Sequence, residues 1–399
     1  MTSPTSTAIG AESQPLAETW SDHWPAAKLL GRATLWAFSP ALIVLCLAGI
    51  LLTEAGRTLL AQPATTTDVE APRLLARPPL PWHAPVEADL PASDPDLAFA
   101  PWSTLDWAQA AHRYRGPFCR TFQWLIAPWQ SLSERPSLSL AWRHWLAGLW
   151  TIAIWSWCGG AATRYAGVRL ANVAACSTRT SVVDALVKWP SSFAAPAGAL
   201  TVTAITFGMF VLLGSLMQFE VALLLVGLGW IAILALGAFG LALAGGSVFG
   251  WPLMTAASAI EGSDAFDQLG RGYSYLYQRP LHLAVYLALL IPLGLAGEWT
   301  SWGVADGAMS LTHAALERIE PLGDAASTAT EVELESASHA KEVHVGWAGQ
   351  AGMAAIRFWN RFFDWLAASY AAAFFWSSTA AIYLLLRRLV DGVDIEELC

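Results

Sequence analysis

The chain has 399 residues, of which 55% are hydrophobic and 13% charged, whereas soluble domains carry about 25% charged residues. Its formal net charge is −9 and it contains no run of basic residues, which argues against nucleic acid as a partner. The five cysteines are widely separated and form no CxxC pair, so neither a disulfide framework nor a zinc site is expected. This composition predicts an all-α integral membrane protein whose first partner is the lipid bilayer.

Six apolar runs are long enough to cross a bilayer as helices of about 20 residues. They cover residues 33–52, 142–162, 197–217, 221–249, 280–297 and 363–386. Many of the 22 tryptophans lie near the ends of these runs, as expected for a side chain that favours the membrane–water interface. Pro40 is expected to bend the first helix, which neighbouring helices can accommodate.

The distribution of lysine and arginine predicts the orientation, because these residues favour the cytoplasmic side. It places both termini on the cytoplasmic side of the inner (cytoplasmic) membrane. The predicted order is a polar cytoplasmic tail (1–32), the first transmembrane helix (33–52), a Pro-rich external segment with a surface helix (53–139), a membrane core with spans two to five (140–297), an acidic external loop (298–360), and the last transmembrane helix with a cytoplasmic tail (361–399).

Forty consecutive residues, from Val221 to Ile260, contain no charged side chain. As one helix they would be roughly 60 Å long, twice the thickness of the hydrocarbon core. We expect one tilted crossing that ends near Phe249, bent at Gly250 and Pro252, with the rest along the inner interface. Two crossings are the alternative, which would raise the total from six to seven.

Two short amphipathic helices are predicted at the cytoplasmic interface, between spans two and three and between spans four and five. Ser181 and Ser263 are the expected N-caps, each followed by acidic residues in the first turn. A glycine pair precedes each helix, at residues 159–160 and 245–246. The two span–helix–span units therefore predict a parallel internal repeat; chance similarity of two short amphipathic helices is the alternative.

Several short sequences resemble signatures of a family of uncharacterised bacterial multi-pass membrane proteins. These are GGAATR at 159–164, GWPLM at 250–254, EGSDAF at 261–266, YQRPL at 277–281 and IYLLLR at 382–387. More loosely, the amphipathic helix between spans resembles membrane domains found beside glycerophosphodiester phosphodiesterases. The resemblance implies a multi-pass helical fold and carries no activity.

No phosphate-binding loop, HExxH motif or GxSxG nucleophile elbow is present, so we expect no enzymatic activity, cofactor or metal. His339 and His344 are five residues apart, which does not place them on one helical face. The residues most suited to contact a lipid headgroup or a partner form a charged group at the inner interface. They are Arg164, Glu261, Ser263, Asp264, Asp267, Arg271 and Arg279. The alternative is that the acids cap a helix while the arginines only set the orientation.

The sequence thus predicts a non-enzymatic membrane scaffold, a lipid-interacting protein or a membrane-assembly component, with other membrane proteins as candidate partners. The alternative is a transporter or permease-like subunit for an uncharged or lipidic substrate. A polar, water-accessible cavity at mid-membrane would favour transport, whereas an interior packed with small residues would favour the scaffold.

Overall fold

A computed structural model describes residues 20–60, 74–75, 116–134, 138–171, 177–316 and 347–393, and these residues form helices without a strand. Predictions for the acidic stretch 324–340, for the two histidines within 339–344 and for most of the Pro-rich segment lie outside the described residues. The helices are α1 (Trp20–Ala37), α2 (Pro40–Leu60), α3 (Pro117–Gln130), α4 (Leu138–Leu170), α5 (Thr178–Val187), α6 (Trp189–Leu216), α7 (Glu220–Leu228), α8 (Trp230–Glu261), α9 (Ala265–Gln278), α10 (Pro280–Leu316) and α11 (Trp347–Asp391).

Prolines define where several helices begin. Pro40, Pro117 and Pro280 are the first residues of α2, α3 and α10. Proline suits this position because the first turn needs no N–H donor and the residue before proline disfavours helical backbone. The sequence predicted that Pro40 would bend one helix. Instead, Pro40 begins α2, and Phe38–Ser39 separate α2 from α1.

The C-terminal helix α11 forms the centre of the bundle. Its residues from Ala367 to Leu386 are all buried, and α11 packs against α1, α2, α3, α4, α8 and α10. Small residues allow this close approach: Gly159 of α4 faces Trp376, whose ring stacks on that of Trp155 at 5.7 Å between centroids. The middle of the bundle is thus occupied by a helix.

Within the described residues, five helices are long and apolar enough to cross a membrane, namely α2, α6, α8, the part of α10 up to Thr312, and α11. They support the predicted membrane protein. The predicted second span, 142–162, lies within α4, which has 33 residues but is not one of the five. Its many tryptophans and its polar residues lower the mean hydropathy, so a sixth crossing stays a prediction.

The forty uncharged residues contain one helix long enough to cross, which is α8. The preceding helix α7 has only 9 residues and ends at Gly229, too few for a second crossing. The expectation that the helix ends near Phe249 was wrong, because α8 continues through Pro252 to Glu261. Residues Trp251 to Ala259 are buried in the bundle and do not lie separately along the interface. Neighbouring helices stabilise the segment around the proline.

The α6–α8 hairpin extends away from the rest of the bundle. The two helices pack antiparallel, with Thr203 Oγ1 3.0 Å from Ser247 Oγ, and the halves nearer α7 expose large apolar side chains. Examples are Ile205 (60%), Phe207 (69%), Ile231 (83%) and Leu241 (76%). Since α8 has 32 residues and would be roughly 48 Å long, it must tilt to fit the hydrocarbon core. This surface is suited to contact lipid.

The two short helices share one local arrangement. Each packs against the long helix that precedes it, α5 on α4 and α9 on α8. The preceding glycine pairs lie beneath them: a Cβ on Gly160 would be 3.9 Å from Ala185 of α5, and one on Gly246 would be 2.0 Å from the Tyr273 ring of α9. These contacts are compatible with the predicted repeat, which itself stays a prediction.

Gly246→Ala is expected to lower the free energy of unfolding by about 1–3 kcal/mol, because the new methyl group would displace the Tyr273 ring. That ring is held by hydrogen bonds from its hydroxyl to Leu243 O and with Ser247 Oγ. Gly198→Ala in α6 is the matched control, since a Cβ there meets no atom within 4 Å. Thermal unfolding in detergent measures both, and equal midpoints would contradict the close packing.

Candidate functional site

The turn between α8 and α9 positions most of the predicted charged residues. Gly262 ends α8 with φ of 75°, a left-handed conformation that glycine adopts without strain. Asp264 is the N-cap of α9 and accepts a hydrogen bond from Asp267 N at 2.9 Å. The prediction that Ser263 is the cap was therefore wrong by one residue. In α5 the cap is Ser177, whereas the predicted cap Ser181 lies buried within the helix.

Glu261 is the centre of a network that joins three helices. It forms an ion pair with Arg271 of α9, accepts a hydrogen bond of 2.6 Å from the Tyr383 hydroxyl of α11, and lies 3.0 Å from Arg387 Nε. The contact with Arg387 lacks the angle of a hydrogen bond, so it is an ion pair only. Asp267 adds a second carboxylate, 3.0 Å from Arg271 Nε. We call these five residues the Glu261 network.

A second contact joins the same two helices. The buried hydroxyl of Tyr275 in α9 donates a hydrogen bond to Asp391 at the end of α11. Burial, together with this hydrogen bond and the nearby Asp391 charge, raises the pKa of Tyr275 above its ordinary value. The hydroxyl therefore stays protonated and keeps donating. Charged and polar contacts thus hold α9 against the C-terminal end of α11, which is predicted to be cytoplasmic.

Of the seven predicted site residues, Glu261, Asp267 and Arg271 meet directly. Arg164 contacts a different group: its Nη2 is 2.9 Å from Asp184 Oδ2 and its Nη1 donates to Ala259 O at 3.0 Å. Asp264 only caps α9, and Arg279 is exposed at the end of the same helix. The oxygen Oγ of Ser263 is buried and has no hydrogen-bond partner among the described residues.

Lys188 was not identified from the sequence as a site residue. It lies between α5 and α6, and its Nζ packs over Gly262, where a Cβ would be 2.3 Å away. Burial and the neighbouring positive charge of Arg164 lower the pKa of Lys188. Lys188, Arg164 and Asp184 surround a small cleft whose other lining residues include Ser156, Ser192 and Ser258.

A second charged group holds α3 inside the bundle. Arg120 forms an ion pair with Glu298 of α10, and one turn further Trp124 Nε1 donates to Glu54 of α2 at 2.7 Å. Arg57 of α2 donates to Trp124 O at 2.9 Å and its guanidinium lies 4.5 Å from the centroid of the Trp124 ring. The sequence predicted a helix in this segment too, but one that lies on the outer membrane surface.

The apolar side of α3 contacts other helices deep in the bundle. Phe118 and Phe122 pack against Phe375 of α11 at 4.6 and 6.5 Å between ring centroids, and Trp129 packs edge-on against Trp251 of α8. Phe375 precedes Arg387 by twelve residues, roughly 18 Å along the helix. The sequence did not predict that the apolar side of α3 contacts other helices.

The Glu261 network and the charged contacts of α3 are both suited to hold helices together and to bind charged molecules. Within the described ranges, no group of three His, Cys, Asp or Glu side chains could hold a metal ion. Comparison of the chain with protein-family models, with curated proteins and with solved structures found no match.

Proposed function

We propose that this chain is a non-enzymatic scaffold of a bacterial inner membrane, which interacts with lipids or helps to assemble membrane components. The observation that carries the proposal is the position of α11. Its buried segment from Ala367 to Leu386 occupies the middle of the bundle, where a transporter would need a passage. A helix that contacts most of the others is suited to hold them in a fixed arrangement.

Two buried arginines support the same proposal, because contacts between helices hold their side chains. Arg120 pairs with Glu298, and Arg57 is bound by Trp124 O and Thr151 Oγ1. An ion or proton pathway would instead need charged groups that face water. We extend the proposal to six crossings with α4 as the sixth, to cytoplasmic termini, and to membership of the bacterial family that the sequence resembles.

The transporter alternative is tested in proteoliposomes made with the purified full-length chain. We expect glycerol permeability and the flipping of a fluorescent phospholipid to equal those of protein-free vesicles. In native membranes, a cross-linker should join the chain to another protein in a discrete complex. Flux above the protein-free level, raised further by Trp376→Ala, would overturn the scaffold and favour transport.

The proposed topology makes a prediction for two exposed positions. Phe266 at the start of α9 is 88% exposed and Trp347 at the start of α11 is 84% exposed, and α9 contacts the opposite end of α11. In a cysteine-free background, Phe266→Cys should react with a membrane-impermeant maleimide only in inside-out vesicles, and Trp347→Cys only in intact spheroplasts. Labelling of both from the same side would contradict the topology.

A further inference from the structure

The cleft between α4, α5, α6 and α8 carries more positive than negative charge. Its charged side chains are Arg164, Lys188 and Asp184. The single carboxylate pairs with Arg164 at 2.9 Å, and no hydrogen-bond acceptor or carboxylate partner of Lys188 Nζ is found among the described residues. The Arg164 Nε is buried and also lacks a hydrogen-bond partner there. The positive charge of Lys188 thus remains available to an anion.

Buried serines form the floor of this cleft. Ser192 Oγ lies 2.5 Å from Ser258 Oγ, and Ser156 Oγ donates to Ser192 O at 3.1 Å. The space above them has a volume of about 10 Å³, which is enough for a water molecule but not for a phosphate group. An anion would therefore bind at the mouth, where Lys188 is partly exposed.

The surface beside the mouth indicates the kind of molecule that carries the anion. On α5 the apolar side chains Val183, Leu186 and Val187 are 49%, 55% and 74% exposed. A freely soluble phosphate compound would not cover such an apolar surface, whereas the acyl chains of a lipid would bury it. Basic pockets between helices near the cytoplasmic face are a recurrent place for anionic headgroups.

We propose that Lys188 and Arg164 bind the phosphate of an anionic phospholipid whose acyl chains lie against the exposed apolar side of α5. This deepens the lipid interaction of the proposed scaffold and rests on that proposed function. Lys188 supplies an ammonium group that forms no ion pair among the described residues, and Arg164, oriented by Asp184 and Ala259 O, supplies the second positive charge. The lipid would thus contact α4 through Arg164, α5 through its exposed apolar side chains, and the start of α6 through Lys188.

The test is the thermal stability of the full-length chain in neutral detergent on titration with phosphatidylglycerol. We expect saturable stabilisation, with a half-saturating concentration raised about fivefold by Lys188→Gln, the loss expected for one lysine near an anionic surface. Asp184→Asn should lower that concentration, because Arg164 loses its competing carboxylate. Arg179→Gln removes an exposed cation from the same helix and should leave the titration unchanged.

Two further titrations identify the source of the phosphate. Phosphatidylcholine should not stabilise the chain, and inorganic phosphate should have no effect at equal concentration. Stabilisation by inorganic phosphate alone would overturn the lipid as ligand. Equal titrations for Lys188→Gln and the unsubstituted chain would overturn the site. The flux and cross-linking tests of the scaffold do not depend on Lys188, so a failure of either proposal is recognised separately.

Discussion

Glu298→Ala is expected to lower the free energy of unfolding by about 3–5 kcal/mol, because it leaves a guanidinium without its carboxylate inside the bundle. The side chains of Glu298 and Arg120 are only 3% and 18% exposed. Water therefore cannot replace the lost partner. The reversible unfolding of the chain in mixed micelles, followed by tryptophan fluorescence, measures the change.

Two variants separate the ion pair from its surroundings. The double substitution Arg120→Met with Glu298→Leu removes both charges and should recover most of the stability, since a buried pair is often replaceable by apolar residues. Glu220→Ala removes an exposed carboxylate at the start of α7 and should cost at most about 1 kcal/mol. If Glu298→Ala cost no more than Glu220→Ala, the pair would not be buried as described.

The loss should be largest at α3, because this helix is held at two positions one turn apart. Arg120 connects it to α10, whereas Trp124 connects it to Glu54 and Arg57 of α2. Without the first connection, apolar contacts such as those of Phe118 and Phe122 with Phe375 oppose its release on that side. Faster proteolysis within α3 than within α8 would locate the effect.

The sequence predicted the local features of the fold well. Acidic residues precede α9 and Pro280 follows it, so the boundaries of α9 could be predicted locally to within a residue or two, although the end of α8 was not. Charges near the ends of apolar runs likewise identified Glu261, Asp267 and Arg271. The exact cap was missed because Ser263 and Asp264 are both good capping residues and only the backbone decides between them.

Contacts between distant parts of the chain could not be predicted. Arg120 and Glu298 are 178 positions apart, and each lies in a segment assigned to the exterior from its charge and composition. Tyr383 lies within an apolar run and Arg387 directly after it, so neither was connected with Glu261. A single sequence contains no periodic pattern that records such pairings; they arise from the packing of the helices.

The Glu261 network yields the second large effect. Glu261→Gln is expected to lower the free energy of unfolding by about 2–4 kcal/mol, since Arg387, only 14% exposed, loses its carboxylate partner and Arg271 keeps only Asp267. Asp264→Asn is the matched control, an acid-to-amide change in the same turn. It should be nearly neutral, because asparagine caps a helix about as well as aspartate.

Hydrogen exchange distinguishes a local role from a global one. Since Glu261 joins α9 to α11, its substitution should speed amide exchange in α9 by roughly a hundredfold, the factor that corresponds to about 3 kcal/mol. Amides of α10 that exchange through local openings, in which the Glu261 network stays formed, should be unchanged. An equal increase in both helices would contradict a local role, because the whole bundle would then depend on Glu261. Exchange confined to α9 would mean that this helix can detach while the central helix stays packed.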